Sequence, residues 1–121
     1  ICRNNRLYLD GSHNPLGAKA LNEYLNTLDC RKHLIIGMMS NKDHEEYLSK
    51  FNNISSITTI DIPNQPNAIK GKDLKEKLNK YPNVNYKKSI EEALDSINPG
   101  KDDLIMITGS LYLAGELLNL N

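Results

Sequence analysis

The sequence predicts an α/β fold, a three-layer sandwich in which a mostly parallel sheet carries helices on both faces. Two observations predict it. Apolar runs of strand length alternate with helical patterns from end to end, and repeated strand–helix alternation builds a parallel sheet whose crossovers cover its faces. Two of those runs, residues 33–39 and 103–108, are apolar almost throughout, as strands buried on both faces are.

The elements follow in order. Leu7, Tyr8 and Leu9 form a short strand that ends in a turn at Asp10 and Gly11; its place in the sheet is left open. From Pro15, the residues Ala18, Leu21, Tyr24, Leu25 and Leu28 fall at helical spacing on one inward face. Asn14 is placed to cap that helix, and Pro15 at its first position loses only a donor that would be orphaned anyway. Residues 33–39 are the second strand, and a helix over 43–51 turns Tyr47, Leu48 and Phe51 inward. The β-branched stretch 57–62 is a third strand stopped by Pro63. Two prolines make residues 63–67 a loop. A helix over 72–81 then buries Leu74, Leu78 and Tyr81, and Val84 to Tyr86 is a short strand. Ser89 with Glu92 reads as a capping box for a helix whose inward face is Ile90, Ala93, Leu94 and Ile97. Pro99 and Gly100 end it. Residues 103–108 are the last strand, and Gly109 and Ser110 turn it into a final helix running through Leu113, Leu117 and Leu118.

The 121 residues fit a single domain, 1–121, large enough to fold without a disulfide or metal staple. Lysine plus arginine equals aspartate plus glutamate at 15 each, a balance that argues against nucleic acid as a partner. No apolar run approaches a membrane span and no signal peptide precedes the first strand, so the expectation is a cytoplasmic domain without membrane contact. The opening on Ile1 suggests a fragment. Cys2 and Cys30 form no disulfide framework and no C-x-x-C pair; Cys30 is expected to be half-buried.

Ligands of open parallel sheets bind outside the carboxyl ends of the strands, so chemistry is sought there. Leu9-Asp10-Gly11-Ser12-His13-Asn14-Pro15 combines a strand end, a glycine turn and a helix start. The helix-start donors favour an anion, a phosphate or a substrate carboxylate, and the strand-end carboxylate of Asp10 suits a ribose hydroxyl. Gly11 permits a backbone conformation other residues avoid. Thr108-Gly109-Ser110-Leu111-Tyr112 repeats the geometry at the last strand. Gly37-Met38-Met39-Ser40-Asn41-Lys42-Asp43 is a third such segment, in which Lys42 and Asp43 either reach a nucleotide across the sheet edge or serve as a solvated lysine and a helix cap. No P-loop and no G-x-G-x-x-G occurs, a serine-hydrolase elbow is missing, and His13, His33 and His44 lie on separate segments without zinc-ligand spacing. His33 reads as structural and His44 as solvated.

The first of these motifs resembles the L-D-G-A-H-N-P signature of the folylpolyglutamate synthase/dihydrofolate synthase family, with Ser12 in place of the commoner alanine. Thr108-Gly109-Ser110-Leu111-Tyr112-Leu113-Ala114-Gly115-Glu116 is similar to that family's T-G-S-L-Y-L-x-G-E, and residues 37–43 to its glycine-to-K-D segment, in the same order. The resemblance implies a Rossmann-like Mur ligase C-terminal domain belonging to a two-domain enzyme. An N-terminal domain, absent from this chain, would carry the P-loop, the Mg2+ ligands and most of the pterin site. The activity implied is addition of L-glutamate to folates and, in a bifunctional parent, to dihydropteroate, with ATP forming an acyl phosphate that the glutamate amine attacks. On that resemblance Asp10 and His13 contact ATP, His13 is the catalytic residue at the domain interface, and Ser110 takes the glutamate carboxylate. The sequence departs from the family in one respect: the hinge arginine that contacts ATP would fall before Ile1, and Arg6 is too close to Asp10 to replace it. The isolated chain is therefore expected to be catalytically silent. Two other readings stand beside this one: a non-catalytic nucleotide-binding or interaction module, and a murein-peptide ligase C-terminal domain.

Overall fold

A computed structural model describes residues 6–97, 102–110, 112, 113 and 115. The strands are β1 (Arg6–Leu9), β2 (Lys32–Ile36), β3 (Ser56–Thr59), β4 (Val84–Tyr86) and β5 (Leu104–Thr108); between them run α1 (Pro15–Leu25), α2 (His44–Ser49), α3 (Gly71–Lys77) and α4 (Ile90–Ser96). All pairings are parallel, in the order β1-β5-β2-β3-β4. The first strand, whose place the sequence left open, is an edge strand against β5. β1, β2, β3 and α3 each begin one residue before the predicted span, and β2 and β3 end three residues early because residues 37–39 and 60–62 bend into loops.

Strand alternation sorts the core into two. Leu34, Ile36, Leu104 and Met106 face α1, α2 and α3 through Ala18, Leu21, Leu25, Tyr47, Leu48 and Leu74. Ile35, Ile105 and Ile107 face the other way, onto Ile90, Ala93 and Leu94 of α4 and onto Leu113. Successive crossovers through α1, α2 and α3 advance across the sheet on one face, whereas β4 returns through α4 on the opposite face to insert β5 between β1 and β2. Right-handed crossovers require that change of face when the strand order reverses. The reversal opens a crevice at the carboxyl ends of β1, β5 and β2, the position where such sheets bind ligands.

Helix starts obey the expected chemistry. Asn14 Oδ1 accepts from Gly17 N at 2.8 Å and Asp43 Oδ1 from Glu46 N at 3.0 Å. Ser89 Oγ accepts from Glu92 N at 3.2 Å, while the Glu92 carboxylate reaches back to Lys88 N rather than to Ser89 itself. Asp43 is thus the helix cap that its position allowed. Two expectations are corrected. Tyr24, assigned to the inward face of α1, is 49 % exposed, since the buried stripe is Ala18, Leu21 and Leu25 alone. His44, expected to be solvated, is buried, and its Nε2 donates to the Met39 carbonyl at 2.9 Å. His33 is structural as expected: buried, with Nε2 donating to Asp103 Oδ2 at 3.0 Å and Nδ1 on Ser56 Oγ at 2.7 Å. Cys30 is half-buried and free. Cys2, the stop at Pro99 and Gly100, and the final helix at Leu117 and Leu118 lie outside the described residues.

Candidate functional site

The three motif segments predicted from sequence meet at the crevice. Asp10 N donates to the Ile107 carbonyl at 2.9 Å, which extends the β1–β5 ladder by one step and carries the Asp10 side chain past the sheet. Gly109 N then donates to the Ser12 carbonyl at 3.1 Å, and Gly37 N to the Thr108 carbonyl at 3.4 Å. The loops after β1 and β2 are therefore tied to the end of β5 and Gly109 through backbone before any side chain is counted.

Glycines permit this approach. Among the described residues the positive-φ glycine is Gly109, at 113°, rather than Gly11 as expected. A Cβ on Gly109 would sit 2.6 Å from the Gly37 carbonyl oxygen, so both conformation and space exclude a side chain there. A Cβ on Gly17 would lie 2.8 Å from the Ser12 Cβ, which presses the first turn of α1 against the motif loop.

Side chains complete the junction. Ser12 Oγ lies 2.9 Å from Tyr47 OH and 3.1 Å from Thr108 Oγ1, and Tyr47 OH lies 2.8 Å from Thr108 Oγ1. The Tyr47 ring is fully buried and meets Phe51 edge-on at 5.6 Å. Burial pushes the Tyr47 phenol up; its bonds to Ser12 and Thr108 oppose that rise, and the nearby Asp10 charge adds to it. In the sequence Thr108 heads the last-strand motif, whereas Tyr47 does not stand out as a site residue. Tyr47 reads there as one more inward residue of α2, and the available signal is Ser12, a hydroxyl where the resembled signature has a methyl.

His13 and Ser110 are brought together, with Lys42 beside them. All three line a cavity of about 100 Å³ with Met39 and Tyr112. The Nδ1 atom of His13 is buried without a hydrogen-bond partner among the described residues, whereas Ser110 Oγ accepts from Tyr112 N at 3.0 Å. A hollow of about 490 Å³ shares Met39, Lys42 and Tyr112 with that cavity and is walled by Ser40, Asn41 and Asn67. The wall is firm, because Ser40 donates both its N–H, at 2.8 Å, and its hydroxyl, at 2.7 Å, to the Asn67 carbonyl. Asp10 lies apart from this pair, in a groove of about 340 Å³ formed with Tyr8, Leu9, Leu21, Tyr24 and Met106 beside the edge strand. The loop thus presents an acid on one side and an imidazole on the other. A further hollow, of about 650 Å³, sits between α3 and the start of β4 and shares no residue with the motif loops. Among the described residues no group of three or more His, Cys, Asp or Glu is gathered to hold a metal ion, and no helix is long and apolar enough to cross a membrane.

Comparison with known proteins agrees with this architecture. Residues 1–111 match the family model described as Mur ligase, glutamate ligase domain. A folylpolyglutamate synthase from Lacticaseibacillus casei is 32 % identical over 122 residues, covering 92 % of this chain and 26 % of that protein. A probable bifunctional folylpolyglutamate synthase/dihydropteroate synthase from Haloferax volcanii is 31 % identical over 113 residues, covering 89 % of this chain and 13 % of that protein. The structure of a Mycobacterium tuberculosis folylpolyglutamate synthase complexed with ADP superposes with a TM-score of 0.84 at 21 % identity, over 94 % of this chain and 29 % of that one. The chain therefore spans between about an eighth and a third of the length of these relatives.

Proposed function

The chain belongs to the Mur ligase glutamate ligase domain family, and on that premise we propose that it supplies one half of the active site of an ATP-dependent ligase that adds L-glutamate to folates. The observation that carries this reading is the crevice itself: three separated motifs converge at the strand-order reversal, and a buried imidazole nitrogen there has no hydrogen-bond partner among the described residues. An unpartnered buried polar atom costs about 1–3 kcal/mol, a cost a substrate oxygen would remove on binding. Relatives above 30 % identity are folate enzymes, which favours a folate over a murein-peptide substrate.

In this reading residues 1–121 are the C-terminal domain, and an N-terminal domain carrying the P-loop and the pterin site faces the crevice. Asp10 accepts from the ATP ribose at the edge-strand groove. His13 lies at the domain interface and stabilises charge on the transferring phosphoryl group or the attacking glutamate, and Ser110 donates to the glutamate carboxylate. ATP phosphorylates a substrate carboxylate; the glutamate amine attacks the acyl phosphate, forming the amide and releasing phosphate. Most of the rate gain from such a site comes from positioning and charge stabilisation. The residues gathered here do not form a metal-binding set, so magnesium is assigned to the N-terminal domain.

The test uses the full-length protein. It should restore growth of a strain lacking folate glutamylation, and His13→Ala should lower kcat by about 100-fold, the lower range for loss of one catalytic group. Asp10→Ala should raise the KM for ATP with a smaller effect on kcat. Full activity in both variants would remove these residues from the site.

A further inference from the structure

We propose that Tyr47 is a positioning residue for this site: its hydroxyl, closed into a ring with those of Ser12 and Thr108, sets where His13 stands relative to the turn at Gly109 and Ser110. The kinetic side of this proposal rests on the ligase reading above; its structural side does not.

The ring is made of three hydroxyls at mutual distances of 2.8, 2.9 and 3.1 Å. Three hydroxyl protons match three edges, so each group can donate once and accept once, and no polar atom in the ring is left unmet. Each hydroxyl comes from a different part of the site. Ser12 belongs to the motif loop after β1, Thr108 ends β5, and Tyr47 reaches in from α2. The residues lining the small cavity are close neighbours of the ring in sequence: His13 follows Ser12, Ser110 stands two residues beyond Thr108, and Lys42 precedes the cap of the helix that carries Tyr47. The Tyr47 oxygen also lies 3.3 Å from the Ser12 carbonyl, the same carbonyl that accepts from Gly109 N; its single proton serves that carbonyl only by being shared with, or taken from, its ring bond.

Packing alone does not require this hydroxyl. The ring of Tyr47 is enclosed and pairs with Phe51, and phenylalanine would fill the same space. What the oxygen adds is a fixed link between loops that otherwise meet through single backbone bonds. A phenol titrates near 10 and is protonated at neutral pH without any help from burial, which moves this one further up, so it remains a donor.

Tyr47→Phe, Ser12→Ala and the double variant of the full-length protein provide the test, each read by steady-state kinetics and by amide hydrogen exchange. Each single variant should lower kcat about tenfold while the KM for ATP changes by less than about twofold, since alignment rather than attachment is lost. The double variant should be no worse than the worse single one, as expected of groups acting as a unit. Exchange at the Gly109 amide should accelerate about tenfold in either variant, reporting a loosened link to Ser12. Unchanged kcat together with unchanged Gly109 exchange, or losses that add in the double variant, would overturn the proposal. Were the wild-type protein to show no glutamate addition, the ligase reading would fail, and Gly109 exchange would still decide the ring. Ser12→Ala decides it alone if Tyr47→Phe does not fold.

Discussion

Gly109 and Gly37 touch backbone to backbone, and that contact limits what the site tolerates at residue scale. A methyl group on Gly109 would have to adopt a φ of 113° and would sit 2.6 Å from the Gly37 carbonyl oxygen. Strain of this kind costs about 1–3 kcal/mol before any clash is added. Gly109→Ala should therefore lower the urea midpoint of the domain by an amount equivalent to at least about 2 kcal/mol, and full stability in that variant would show that the turn can relax. The same contact explains a gap in what the sequence shows. The motif glycines are visible there, but Gly11 attracts the conformational argument because it follows the strand aspartate. The need at Gly109 arises from a neighbour 72 positions away in sequence, and no local pattern reveals it. His44 fails for the same reason: its first-turn position says solvent, and the Met39 carbonyl that receives its Nε2 proton is supplied by the fold of a loop.

At the scale of elements, two side-chain clusters brace the sheet at opposite ends. Beyond the carboxyl end of β3, Asp61 accepts from Gly71 N and from Tyr86 OH, both at 2.7 Å, joining the start of α3 to β4. The Asp61 bond, with burial and the Asp61 charge behind it, pushes the Tyr86 phenol up to about 12. An acid whose pKa is raised on folding binds its proton more tightly in the folded state. Its contribution is therefore fully present below the ordinary tyrosine value near 10 and is lost as pH rises towards about 12. Tyr86→Phe should cost about 1 kcal/mol at neutral pH and should flatten the decline in stability above pH 10; a wild-type denaturation profile flat through that range would contradict the link. At the amino end, His33 joins β2 to Asp103, just ahead of β5, and to Ser56 of β3. His33→Leu removes a partner from a buried carboxylate and should cost about 2–4 kcal/mol in chemical denaturation. The strands were legible as short apolar or β-branched runs bounded by turn residues, and the helices by apolar positions at helical spacing. Tyr24 shows where that reasoning stops: it stands three residues after Leu21, yet it falls on the flank of the Ala18, Leu21 and Leu25 stripe and is 49 % exposed.

At the scale of the whole molecule, strand order decides what the chain can do, and strand order was the least legible feature. Alternation in sequence implies a parallel sheet but does not say that β5 inserts between β1 and β2. That insertion places the loop after β1 beside the loop after β5, and it converts motifs about a hundred residues apart into one junction. It also leaves the junction open on the side away from the sheet. Asp10 occupies a groove beside an edge strand, His13 and Lys42 share a small cavity, and the sequence contains no P-loop to cradle phosphates. A nucleotide docked here would keep most of its phosphate surface in water, where charge contacts are weak. This chain alone should therefore bind ATP with a Kd no tighter than about 1 mM, equivalent to about −4 kcal/mol. On the proposed reading, in which a second domain closes the crevice, the full-length protein should bind in the micromolar range. Isothermal calorimetry on both proteins, at one ionic strength, measures the difference. Micromolar binding by the single domain would mean that the crevice is a complete nucleotide site and that the second domain is needed only for the other substrates.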